Sequence, residues 1–111
     1  MAYTDPTPFK IPRRYQAASG VNVETITTAK TLTYSDSMVQ LLDNSTGGTL
    51  EVILPDYNDG AIFAIKATGT HGLSIKRASL SVVVSLAAGE GCLLVSTGDA
   101  ASSDWVSILK A

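Results

Sequence analysis

The chain has 111 residues, 45% of them hydrophobic and only 16% charged, with a formal net charge of -2. That length suits one domain, and a β domain of this size buries enough apolar surface to fold without disulfides or metals. The weak acidic balance excludes a general attraction to nucleic acid or anionic lipid, which requires clustered Lys and Arg, and the low charged fraction implies that part of the apolar surface meets another subunit.

Residues 1–20 differ in character from the rest of the chain. Pro6, Pro8 and Pro12 forbid a helix and remove backbone donors, while Phe9, Ile11 and Tyr15 are interspersed among them. This reads as an extended N-terminal arm. Lys10, Arg13 and Arg14 against Asp5 give it a charge of +2, whereas the remainder carries five positive and nine negative charges, or -4. Flexible tails seldom carry Phe, Ile and Tyr unless these dock, so the arm is expected to bind a partner of opposite sign through Phe9, Lys10, Ile11, Arg13, Arg14 and Tyr15.

From residue 21 onward, short β-branched runs alternate with Gly, Asn, Asp and Ser clusters, the pattern of a small all-β domain of antiparallel strands forming a sandwich or barrel. Strands are predicted over 21–28, 31–34, 38–43, 49–54, 61–67, 73–77, 80–86, 91–97 and 105–109. A short helix over 35–42, capped by Ser35, is the rival for the third of these, and its strand neighbours and small length favour β. Leu50, Val52 and Leu54 share one face. So do Leu80, Val82, Val84 and Leu86, opposite Ser81, Val83 and Ser85, and both apolar sets are expected in the core. Asn44 to Gly48 is a turn, Pro55 opens a loop over 56–60, Gly69 to Gly72 joins two strands tightly, and Gly89-Glu90-Gly91 makes another sharp turn. Trp105 reads as a core anchor, with Val106, Ile108 and Leu109 able to bury both faces of the last strand.

Little in the chain suggests chemistry. Cys92 is the only cysteine, which excludes an intrachain disulfide, and its run Cys92-Leu93-Leu94-Val95 marks it as a small core residue. His71 is the only histidine; in Gly69-Thr70-His71-Gly72 it is a turn residue with no nucleophile constellation around it. Asp56, Asn58 and Asp59 place oxygens at alternate positions, but no closing bidentate acid comes after them, so they read as turn formers rather than a calcium loop. Neither Gly47-Gly48 nor Gly89-Glu90-Gly91 precedes a helix that could hold a phosphate. The expectation is a non-enzymatic protein with no catalytic, cofactor or metal residues and no small-molecule substrate. No run reaches the roughly 18 apolar residues of a membrane span, and Asp5, Pro6 and Pro8 are unlike a signal peptide, which implies synthesis in a cytoplasm.

Six segments carry a resemblance. They are Thr25-Ile26-Thr27 with Thr31-Leu32-Thr33-Tyr34-Ser35-Asp36-Ser37, then Leu50-Glu51-Val52-Ile53-Leu54-Pro55, Phe63-Ala64-Ile65-Lys66, Leu86-Ala87-Ala88-Gly89-Glu90-Gly91 and Trp105-Val106-Ser107-Ile108. Over residues 24–109 the chain resembles the β modules of bacteriophage tail-fibre, head-fibre and head-decoration proteins. The resemblance implies a virion protein that forms a homotrimer, with the arm as its fastening. The collagen-like or coiled stalk of a fibre is missing, which points to a capsid decoration, or cement, protein on the phage head surface with the major capsid protein as partner. A tail-fibre, adaptor or receptor-binding module is the alternative.

Overall fold

The computed structural model describes residues 18–56, 61–97 and 104–111. The arm residues Phe9, Lys10, Ile11, Arg13, Arg14 and Tyr15, the loop residues Asn58 and Asp59, and the stretch 98–103 lie outside them.

The fold is all-β. Its strands are β1 (Ala18–Ile26), β2 (Lys30–Thr31), β3 (Ser37–Asn44), β4 (Leu50–Ile53), β5 (Ile62–Ala67), β6 (Leu73–Lys76), β7 (Val82–Leu86), β8 (Gly91–Ser96) and β9 (Trp105–Lys110). Eight of these overlap a predicted run closely, whereas β2 keeps only Thr31 of the strand expected over 31–34, because the chain turns there and the Asp36 amide donates to the Thr33 carbonyl at 3.1 Å. The segment weighed as a helix is β3, whose alternating burial ends in fully covered Gln40, Leu42 and Asn44.

Two mixed sheets result, ordered β1-β3-β5-β8-β9 and β2-β4-β6-β7. The first six strands visit the two sheets in turn, so each pass of the chain lays one strand on each sheet and the next pass lies beside it in the same direction. β1, β3 and β5 are therefore parallel, as are β2, β4 and β6. Only the pairs β5–β8, β8–β9 and β6–β7 are antiparallel. This corrects the expectation of antiparallel strands throughout. Period-two alternation reports which face a residue occupies and carries no information about the direction of its neighbour.

Both sheets contribute to one buried cluster that includes Leu42, Val52, Leu54, Phe63, Ile65, Leu73, Ile75, Leu94 and Trp105. Phe63 lies between Tyr34 and Trp105, at ring-centroid distances of 6.4 and 5.9 Å. The Trp105 indole donates to the Pro55 carbonyl at 3.1 Å, so the largest side chain of the core is covered without stranding its N–H. Cys92 is buried as expected, and burial pushes its thiol up to about 11.

The connections have specific requirements. Asn44, buried where β3 ends, donates its side-chain amide to the carbonyls of Gly48 (2.6 Å) and Gly72 (2.9 Å) and accepts from the Thr46 amide and hydroxyl. It thereby ties its own turn to the turn of the following pass. Gly72 lies so near β7 that a Cβ there would stand 2.5 Å from the Leu86 carbonyl oxygen. Two apolar expectations fail at the far edge. Leu80 has φ 72° in the turn before β7, and the β6–β7 register slips between Ile75 and Lys76, so Val84 pairs with buried Ile75 while Val82 pairs with Lys76. The slip interrupts the alternation, leaving Leu80 and Val82 exposed.

The first pass ends in polar groups. Asn22 and Glu24 of β1 continue the inward rows of Gln40 and Leu42, and Lys30 of β2 continues that of Val52. Lys30 pairs with Glu24 at 2.8 Å, and Asn22 donates to Glu24 (2.9 Å) and Gln40 (2.8 Å). The stacked passes thus close on an ion pair and amides, as the open end of a repeating stack requires. The Lys30 ammonium and the Asn22 amide hold the Glu24 carboxyl below its ordinary value.

Candidate interaction surface

In the five-stranded sheet the residues between the core positions point outward. Three registered rows lie on it, spanning five, four and three strands. Val21, Val39, Ala64, Leu93 and Leu109 run across all five strands. Beside them lie Val23, Leu41, Lys66 and Gly91 on one side, and Ile62, Val95 and Val106 on the other. Among these, Val23 is 75% exposed, Leu109 62% and Val21 58%. Ile108, at the register shift of β9, is 64% exposed. The expectation that Val106, Ile108 and Leu109 bury both faces of the last strand is thus overturned: β9 is an edge strand with core on one side only.

Ala64 and Gly91 carry little or no side chain, and between them and Val39, Leu41 and Lys66 the face is hollowed into an open depression of about 180 Å³. Among the described residues two charges stand on this face, Lys66 on β5 and Asp43 on β3, the latter two residues beyond the partner of Lys66. The outer face of the four-stranded sheet is unlike it. Thr31, Glu51, Ser74, Lys76 and Ser85 share that face with Ile53 and the exposed Val82, so it is mostly polar, and Glu51 pairs with Lys76.

A second concavity, of about 500 Å³, lies at the corner where Thr31, Thr33, Tyr34, Pro55, Asp56 and Ala78 meet. The Tyr34 hydroxyl donates to the Asp56 carbonyl across it. Beyond this corner Arg77 is held by Asp104 at 2.8 Å, an ion pair without hydrogen-bond alignment, and donates to the carbonyls of Val82 (3.0 Å) and Trp105 (3.2 Å). This interaction anchors the β6–β7 turn to β9.

His71 lies in the β5–β6 turn, its Nδ1 3.3 Å from both the Asn44 carbonyl and the Thr70 hydroxyl. Among the described residues no three of His, Cys, Asp and Glu come together as a metal site would need. Sequence reasoning placed an unlocated apolar surface against another subunit and missed where it lies. The signal was in Leu93-Leu94-Val95 and Val39 with Leu41-Leu42, where both faces of a strand are apolar although only one can meet the core. A scan against protein-family models and searches of curated proteins and of solved structures found no match.

Proposed function

We propose that this chain is a non-enzymatic structural protein of a bacteriophage particle, a small sandwich-like β domain with an extended arm ahead of β1, that decorates and stabilises the capsid. The observation that carries the assembly role is the apolar outer face of the five-stranded sheet, with Val21, Val23 and Leu109 more than half exposed. Contiguous apolar surface of this kind marks an interaction site. In this reading Phe9, Ile11 and Tyr15 fill pockets on the major capsid protein, and Lys10, Arg13 and Arg14 pair with its acidic groups. A homotrimer presents three such arms, so the first contact raises the effective concentration of the next two and release becomes slow.

The second reading, a tail-fibre or adaptor module, is favoured by the corner concavity, whose Tyr34, Thr31, Thr33 and Asp56 combine an aromatic ring with polar groups as a glycan-contacting surface would. Immunogold labelling of intact particles with antibody against residues 21–111 separates the two. Gold over the whole head at many copies is expected for the decoration protein; gold confined to the tail refutes it.

A further inference from the structure

We propose that copies of this chain associate through the outer face of the five-stranded sheet, face against face. This contact supplies the surface for the self-association of a decorating homotrimer and rests on that part of the proposed function.

Area limits the strength of this contact. Five strands at about 4.8 Å spacing span about 24 Å, and three rows two residues apart, with the width of their side chains, cover about 17 Å along the strands, giving a footprint of about 400 Å². Two such faces in contact cover about 800 Å² in all, below the roughly 1,200 Å² at which stable specific interfaces begin, so the contact is weak and concentration-dependent. A third copy leaves the area buried per copy unchanged, so the area sets the strength of the association and not the number of copies.

Charge selects the occupant. Lys66 and Asp43 supply one charge of each sign to the face, and among the described residues neither makes an ion pair within its own copy. A neutral face carrying both signs is complementary to itself, because Lys66 of one copy meets Asp43 of the next. The chain's own residues 1–17 are a poorer match, since they carry +2 while the face, with one carboxylate and one ammonium, has no net negative charge to attract them. The depression at Ala64 and Gly91 gives the contact relief, receiving a Val or Leu side chain from the opposing sheet. The outer face of the other sheet, mostly polar and carrying the Glu51–Lys76 pair beside Ile53 and Val82, has less need of cover.

Sedimentation velocity of the full-length chain across a range of concentrations tests this. The wild type is expected to self-associate, and Val23→Asp and Leu93→Asp are each expected to sediment as monomers with an unchanged β circular-dichroism spectrum. Ser74→Asp, on the other outer face, is expected to associate like the wild type. Lys66→Asp weakens association by about tenfold, and adding Asp43→Lys to the same chain restores it. This exchange keeps the test sharp even if an apolar-to-Asp variant fails to fold. A wild type that is monomeric throughout, or Val23→Asp and Leu93→Asp chains that associate undiminished, overturns the proposal. So does a monomer that associates only after Phe9, Ile11 and Tyr15 are changed to Ser, which would put the arm on the face. Gold on phage heads with a monomeric chain would end this inference and leave the decoration role standing; an associating chain with no gold on heads would do the reverse.

Discussion

Asn44→Ala should be among the most damaging single changes outside the apolar core. The side chain is buried and makes four hydrogen bonds: two donated, to Gly48 and Gly72, and two accepted, from the Thr46 amide and hydroxyl. At about 1 kcal/mol net for each bond the loss would be about 4 kcal/mol. Part of it is recovered, because the Gly48 carbonyl keeps the Thr46 hydroxyl at 3.3 Å and the Gly72 carbonyl keeps the Leu50 amide at 3.4 Å. The expected destabilisation is therefore about 2–3 kcal/mol, a large part of the 5–15 kcal/mol or so that holds a domain of this size. Asn44→Asp preserves both acceptor bonds but turns a carboxylate oxygen toward two carbonyls, so it should be worse than Ala at neutral pH. Urea unfolding followed by Trp105 fluorescence measures both. A loss below about 1 kcal/mol for Asn44→Ala, or an Asp variant as stable as the wild type, would refute the claim that this amide links successive turns.

Two further predictions concern titrating groups. Cys92 titrates at about 11, so at pH 8 about one thiol in a thousand is ionised; a thiol reagent should label the native chain at the rate of its opening and the urea-unfolded chain at once, and rapid native labelling would contradict the burial. Glu24 is held below its ordinary 4.5 by Lys30 and Asn22, so its contribution to stability is present above that value and disappears as pH falls through the lowered one. The stability gap between wild type and Glu24→Gln should accordingly be small at neutral pH, because the carboxylate is 40% exposed, and should close in acid. A gap that widens in acid would have the wrong sign for this pairing.

Most strand positions were legible because they are short apolar runs bounded by turn residues, and Cys92 and Trp105 were legible as core because each lies in such a run; β2, only Lys30–Thr31, was placed too late in the chain. Strand direction was not, since a connection such as Gly69 to Gly72 reads as a tight turn whether it folds back within one sheet or crosses to the other. The register slip opposite Lys76 was equally hidden: Leu80, Val82, Val84 and Leu86 alternate faultlessly in sequence, and only the pairing shows that the first two leave the core. Asn44 was recognised as a turn former, but its bond to Gly72 depends on one pass of the chain lying over the next. The location of the apolar face was missed for a related reason. The low charged fraction implied a covered surface, yet its rows assemble from residues 21, 39, 64, 93 and 109, which register alone brings together.

The fold itself does not require that face to be apolar. The outer face of the four-stranded sheet is built by the same winding and tolerates Glu51, Ser74, Lys76 and Ser85, so an outward position in a parallel row can be polar without disturbing the core. Val21, Val23, Leu41 and Leu93 therefore bring a cost in solubility that their cross-strand packing offsets only in part, and burial against another surface removes that cost. The same contrast separates the two interactions assigned to the chain. An apolar, charge-balanced sheet suits contact between identical copies, whereas a basic arm with spaced aromatics suits an acidic partner of different kind. If both hold, Lys66→Asp should impair self-association while leaving each arm's own affinity unchanged, and the loss of decoration would come from the loss of its multiplicity.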